Sequence, residues 1–294
     1  MQTAATVKAL RSITAKARQD GLTIGFVPTM GNLHDGHLKL VRQARNTCDF
    51  VIVSIFVNPL QFGPNEDLAA YPRTLAADKE KLFAEGTNLL FAPSVDEMYP
   101  GNPNLQTQVT VPEISNTLCG AVRPGHFTGV ATVVSKLFNM VQPDTAIFGK
   151  KDFQQLLVIR RMVNDLSMPI EIVGVDTARS DDGLALSSRN GYLNSHQRTI
   201  APRLHKILQD YRGALASGFD NYAELEHLAT ADLYAAGFRP DYFSIKDAST
   251  LAEVTPETEE VVILTAAMLG NTRLIDNVTL ALNPVSDWGM LAVN

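Results

Sequence analysis

From Thr23 to Val175, short apolar runs rich in β-branched residues alternate with stretches of helical periodicity, and no other feature of the sequence narrows the fold as far. "TIGFVPT", "FVIVSIFV", "NLLFAP", "TAIFG" and "IEIVGV" read as strands. "HLKLVRQAR", "LAADKEKLFAEG", the run Phe127 to Val141 and "FQQLLVIRRMVNDL" read as helices between them. In the Phe127 run, Val130, Val133, Val134, Leu137 and Val141 recur at helical spacing. This succession builds a parallel sheet. Near-continuous apolar strands such as "VIVSIFV" are what helices on both faces require. The predicted fold class is α/β, a doubly wound Rossmann-like parallel sheet.

After "VGVDTARSDDGLALSSRNGYL" the alternation stops. Two long helical patterns, "SHQRTIAPRLHKILQDYRGALA" and "YAELEHLATADLYAAG", precede the strand-like "DYFSIKDA" and "EVVILTAAML". A boundary near Thr177 is expected, with a first domain over 1–177, a smaller α+β lid over 178–284 and a tail over 285–294 that carries the only tryptophan, Trp288. A chain of 294 residues accommodates two such domains.

Charge and cysteine usage exclude several functions. With 25 basic and 31 acidic residues the net charge is −6, which disfavours nucleic acid as a partner. Cys48 and Cys119 stand singly, so no CxxC pair offers a metal or redox site. No signal-like leader and no apolar run of about 18 residues is found, which predicts a cytoplasmic protein without a membrane partner.

In open α/β sheets, ligands bind beyond the carboxyl ends of the strands, where loops lead into helix N-termini. "PTMGNLHDGHLKL" is such a loop. Gly31 and Gly36 permit close backbone approach, and the helix starting near Gly36 offers free N–H groups to an anion. These glycines have P-loop spacing, but His37 and Leu38 replace the Lys and Ser/Thr that such a loop needs, and no GxGxxG occurs. His34 and His37, three residues apart, can converge on one ligand group. Their spacing and the intervening Asp35 and Gly36 do not match a zinc-protease motif, so phosphate contact is the better reading. "FGKKDFQQL" brings Gly149, Lys150, Lys151 and Asp152 to the same sheet edge. Lysines at a helix start oppose its dipole, which suits a role beside an anion. "GLALSSRNGYL" adds Ser187, Ser188 and Arg189 in a glycine-flanked loop.

A histidine pair after the first strand, joined by a mobile basic loop after the last strand of the sheet, resembles the nucleotidylyltransferase superfamily. Read together and in order, "PTMGNLHDGH", "VSIFVNPLQF", "YPRTL", "RPGHF", "FGKKDFQQL" and "LSSRNGYL" are similar to the pantoate:β-alanine ligase family, from about Val27 to Asn277. The resemblance implies ATP-dependent condensation of pantoate with β-alanine through a pantoyl adenylate, releasing AMP and pyrophosphate. It implies an ATP site drawn from Met30, Gly31, Asn32, Leu33, His34, Asp35, Gly36 and His37, from Gly149, Lys150, Lys151 and Asp152, and from Ala178, Leu186, Ser187, Ser188 and Arg189. His37 is expected as the catalytic acid, with His34, Lys151, Ser187, Ser188 and Arg189 neutralising phosphate charge. Gln61 and Gln155 are expected to hold pantoate, with Asn58, Met30 and Arg123 as further substrate contacts. Mg²⁺ is expected to bridge the leaving pyrophosphate, with Asp78 as its protein ligand, and the family implies a homodimer.

Lys150 adds a charge where the family more usually has an acidic or amide residue, and Ala77 cannot assist Asp78 as an acidic neighbour would. The rival enzyme reading is a nucleotidylyltransferase that leaves AMP on a small phosphorylated substrate. The rival from another class is a non-catalytic ATP-binding module, which has no need of paired histidines and a Ser-Ser-Arg loop.

Overall fold

The computed structural model describes residues 1–64 and 66–282, so the expected tail over 285–294, with Trp288, lies outside the described residues. In chain order the first elements are β1 (Gln2–Ala4), α1 (Val7–Gln19), β2 (Ile24–Thr29), α2 (Asp35–Thr47), β3 (Phe50–Ile55) and a 3-10 turn (Pro59–Gln61). There follow α3 (Leu75–Ala84), β4 (Leu89–Phe91), α4 (Val95–Met98), α5 (Cys119–Val122), α6 (His126–Val141) and β5 (Thr145–Gly149). A 3-10 turn (Lys150–Asp152) then leads into α7 (Phe153–Asp165), β6 (Glu171–Val175), another such turn (Ser188–Tyr192) and α8 (Ser195–Ile200).

All paired strands of this sheet run parallel, in the order β1-β4-β3-β2-β5-β6. The period-2 geometry of a strand sorts its side chains onto two faces. Ile24, Phe26, Ile52, Phe91, Ala146 and Phe148 pack with Leu10, Val134, Phe138 and Val158 of α1, α6 and α7. Val27, Val51, Val53, Leu90 and Ile147 pack with Val41, Ala44 and Leu82 of α2 and α3. Helices therefore cover both faces, as the doubly wound expectation requires. Strand order reverses at β2, which lies between β3 and β5. The crevice at the carboxyl ends of β2 and β5 is thus the topological switch point, where ligands bind in such folds.

Two findings differ from the sequence reading. The first strand read from the sequence is the second of the sheet, because residues 1–20 supply β1 at the edge and α1 beside it. Helix α1 is capped by the Thr6 hydroxyl, which accepts from the Ala9 N–H, and buries Leu10, Thr14 and Ala17. The compact units divide between Arg198 and Thr199, within α8, rather than at Thr177. The reason is local: residues 178–192 hydrogen-bond to Asn32, Asp67 and Ala70 of the first unit.

The second unit contains α9 (Arg203–Ala216), α10 (Tyr222–Ala235), β7 (Arg239–Asp247), β8 (Glu260–Leu269) and β9 (Thr272–Ala281). The helical pattern "SHQRTIAPRLHKILQDYRGALA" is broken at Ala201–Pro202, since proline has no N–H and clashes with the preceding turn. Its three strands form an antiparallel sheet in the order β7-β8-β9, an α+β arrangement as expected.

Candidate active site

The loop Met30–His34 leaves β2 at the switch point and is fixed from below. Gly31 and Asn32 both take positive φ, at 82° and 50°. That geometry turns the Asn32 and Leu33 N–H groups onto the two oxygens of Asp78, at 2.9 and 2.8 Å. Lys81, one turn along α3, donates to the Leu33 carbonyl at 2.5 Å. Asp78 is wholly buried and also accepts from the Thr74 hydroxyl at 3.1 Å. Its oxygens anchor the loop, so the structure does not bring Asp78 to the site as a metal ligand.

The anchored loop delivers two histidines to the N-terminus of α2. His34 is the N-cap, and its Nδ1 accepts from the Gly36 N–H at 3.1 Å. His37 occupies the third helical position, and its Nδ1 accepts from the His34 N–H at 3.4 Å. The pair is a capping box made of imidazoles, with ring centroids 4.1 Å apart. A ring nitrogen that accepts a hydrogen bond carries no proton, so each neutral ring carries its hydrogen on Nε2. Burial is the main reason that His34 titrates at about 4, with Lys151 the next contributor. Burial, His34, Lys151 and Lys81, in that order, push His37 down to about 3. Both are neutral donors at pH 7. In this state His37, expected as the catalytic acid, presents an uncharged Nε2–H donor.

Both histidines line one cavity, and the structure sets the other predicted residues around it. Met30, Gly36, Gly149, Lys151, Asp152, Ala178, Leu186, Ser187, Ser188 and Arg189 are in its wall, as are Asn58, Gln61, Arg123 and Gln155. Gly31, Asn32, Leu33 and Asp35 are outside the lining, and Leu33 is 2% exposed in the core beside α2. Lys150 is also outside it. Its Nζ lies 2.7 Å from Asp176 Oδ1, which offsets the extra charge expected beside the phosphates.

The Ser-Ser-Arg loop is held against the same wall. Ser188 donates to the Asn32 carbonyl at 3.1 Å, and Arg189 donates through Nε and Nη2 to Asp67 at 3.0 and 2.8 Å. Burial alone would raise the Asp67 carboxyl, but the hydrogen bonds and charge of Arg189 outweigh it and hold the group below its ordinary value. Arg123 is spent in the same manner on Glu66, at 2.6 and 2.5 Å, so it enters the wall as half of an ion pair.

Sequence reasoning passed over His126 and Tyr71, although "RPGHF" and "YPRTL" contain them. Tyr71 lines the cavity beneath the Arg189 guanidinium, 5.8 Å from its ring centroid. His126 donates from Nδ1 to the Gln61 carbonyl at 2.8 Å, and its Nε2 accepts from Arg123 at 3.0 Å. Burial first, and Arg123 second, lower it to about 4.

For a divalent cation, the donor set is thin. Among the described residues no group of three His, Cys, Asp or Glu side chains could hold a metal. Asp152 and the Lys150-paired Asp176 are the carboxylates in the wall that remain. Such a set fits Mg²⁺ that takes most of its ligands from substrate phosphates, and not an all-protein cage.

A parallel sheet carrying helix-capped histidines at its switch point, faced by a lysine and a hydroxyl-rich basic loop, defines a doubly wound α/β protein with a crevice suited to an anion. Within that class the chain belongs to the pantoate-beta-alanine ligase family, which it matches over residues 2–279. It is 60% identical over 282 residues to a pantothenate synthetase of Pseudomonas putida, covering 96% of this chain and 98% of that protein. It superposes on the pantothenate synthetase of Thermus thermophilus with a TM-score of 0.88 at 48% identity, over 95% of this chain and 99% of the other. The Francisella tularensis pantoate-beta-alanine ligase, solved with β,γ-ATP and β-alanine, gives 0.79 at 35% identity, over 95% and 97%.

Proposed function

We propose that this chain joins (R)-pantoate to β-alanine in an amide bond at the expense of ATP, by way of pantoyl adenylate. A carboxylate oxygen of pantoate attacks the α-phosphorus, the bond to the β-phosphate oxygen breaks and pyrophosphate leaves. The β-alanine nitrogen then attacks the acyl carbon, the bond to AMP breaks and the amine loses a proton to solvent.

One observation carries the reading: a single cavity is lined both by donors suited to a triphosphate and by side-chain amides. His34 and His37 give neutral Nε2–H donors at the start of α2, where the helix dipole already favours an anion. Lys151 and the Ser187–Arg189 loop supply positive charge and hydroxyl donors to the phosphates. Donors placed where charge develops stabilise the transition state more than the ground state. Arg189 reaches its phosphate by exchanging Asp67 for it. Gln61 and Gln155 hold pantoate, and an amide-lined pocket rejects acids that lack the matching hydroxyls.

Mg²⁺ belongs to the same proposal: bound to the phosphates, with Asp152 as a protein contact, it would offset charge on the leaving pyrophosphate. A homodimer in the cytoplasm is likewise proposed on family grounds, and its size in solution tests the first of these. The rival that leaves AMP on its product is not favoured, because the relatives are pantothenate synthetases.

The test omits pantoate and β-alanine in turn from an assay for free AMP. Release that needs both supports the ligase. A stable adenylylated product, or AMP release indifferent to the amine, overturns it.

A further inference from the structure

We propose that Tyr99 is a positioning residue for the acid substrate, acting through Asn58 on the amide of Gln61. The proposal rests on the reading of Gln61 as a pantoate contact. Tyr99 is wholly buried and does not line the cavity. Its ring packs against Phe56 at 5.9 Å between centroids, and Lys136 Nζ lies 5.5 Å above it. Burial raises the pKa of its hydroxyl, so it remains an O–H donor throughout the physiological range.

That hydroxyl donates to Asn58 Oδ1 at 2.9 Å. Asn58 is 1% exposed and every hydrogen-bonding position of its amide is used. Oδ1 also accepts from the Leu60 N–H at 3.3 Å, while Nδ2 donates to the Gly129 carbonyl at 3.1 Å and to Gln61 Oε1 at 3.0 Å. The orientation follows from these partners. Turning Asn58 over would set its NH₂ against the Leu60 N–H and its oxygen against the Gly129 carbonyl, two contacts between like groups. Gln61 must therefore face Asn58 with its oxygen and present Nε2 on the side of Met30, which Nε2 approaches at 3.4 Å from Sδ. Met30 and Gln61 both line the cavity. The relay makes Gln61 a donor, which suits a carboxylate or hydroxyl oxygen of the acid.

Helix α6 braces the same unit. A Cβ on Gly129 would stand 2.2 Å from the Leu60 carbonyl oxygen and 2.8 Å from the Gln61 N, so the turn Pro59–Gln61 lies directly on the helix backbone. Tyr99 is the relay member that belongs to neither the turn nor that helix. Without its O–H, Asn58 Oδ1 keeps only the longer bond from Leu60, and the amide that aligns Gln61 is held from one side.

The expected result for Tyr99→Phe is a rise in KM for pantoate of roughly five- to tenfold, the effect of one lost hydrogen bond. The KM for ATP should stay within about twofold. The second arm is Gln61→Ala, alone and combined with Tyr99→Phe. Once Gln61 is gone, Tyr99→Phe should change pantoate KM by less than about twofold, because contacting residues couple. An equal effect on ATP and pantoate, or an undiminished effect in the Gln61→Ala background, overturns the relay. So does a normal pantoate KM in Tyr99→Phe when Gln61→Ala raises it. If Gln61→Ala itself leaves pantoate KM unchanged, the reading of the pantoate pocket fails and the proposal falls with it. Should Tyr99→Phe not fold, Asn58→Ser reads the same relay and must show the same pantoate-selective rise.

Discussion

Replacing Asp78 separates two incompatible roles for one carboxylate. Its oxygens accept the N–H groups of Leu33 and Asn32 at 2.8 and 2.9 Å and the Thr74 hydroxyl at 3.1 Å, and none of its surface is exposed. Asp78→Ala strands two N–H groups and leaves a small cavity under the loop. A buried hydrogen-bonding group that loses its partner costs about 1–3 kcal/mol. Two such groups, partly relieved by an entering water, give a destabilisation of about 3–4 kcal/mol. With a urea slope of roughly 2–3 kcal/mol per molar for a domain of this size, the midpoint should fall by more than about 1 M. Equilibrium urea unfolding at a fixed high Mg²⁺ concentration measures it. The concentration of Mg²⁺ giving half-maximal activity, measured on whatever folded protein remains, should be nearly unchanged. A midpoint within about 0.3 M of the unsubstituted protein, together with a roughly tenfold higher Mg²⁺ requirement, would refute the anchor and restore Asp78 as a metal ligand.

Two further outcomes follow from the same geometry. A Cβ on Gly36 would lie 2.8 and 2.9 Å from Cε1 and Nδ1 of His34, so Gly36→Ala must rotate the N-cap imidazole. KM for ATP should rise about tenfold while stability falls by about 1 kcal/mol, the usual loss for a cap; steady-state kinetics and urea unfolding check both. The buried histidines also set a pH dependence of stability. His34, His37 and His126 titrate at about 4, 3 and 4 in the native protein, whereas an unfolded histidine titrates near 6.5. Between these values the unfolded chain binds more protons, so stability is complete above about pH 6.5 and falls on acidification. Going from pH 7 to 5.5 should cost up to about 1.4 kcal/mol per histidine, less for the partly open His34. An unchanged urea midpoint at pH 5.5 would contradict the neutral, buried state of all three.

What could be read from the sequence depended on whether the information was local. The sheet was legible because period-2 and period-3.6 patterns are written in consecutive residues such as "VIVSIFV". The edge strand β1 was missed because three residues carry no period. The site was legible as a set of blocks, and His34, His37, Lys151 and Gln61 do share one cavity. The state of each group within it was not. Asp78 looked free beside Ala77 because its partners, Asn32 and Leu33, are some 45 residues away in the chain. Arg123 looked available for a substrate until Glu66 was found on its guanidinium. For His37, spacing reveals neither burial nor which ring nitrogen accepts a backbone N–H. Tertiary pairing decides such questions, and one sequence does not record it.

ATP–pyrophosphate exchange, followed with labelled pyrophosphate, tests the central claim most directly. Exchange should require pantoate, proceed without β-alanine and vanish in His37→Ala while that variant still unfolds cooperatively in urea. Exchange that ignores pantoate, or survives intact in His37→Ala, would contradict the account.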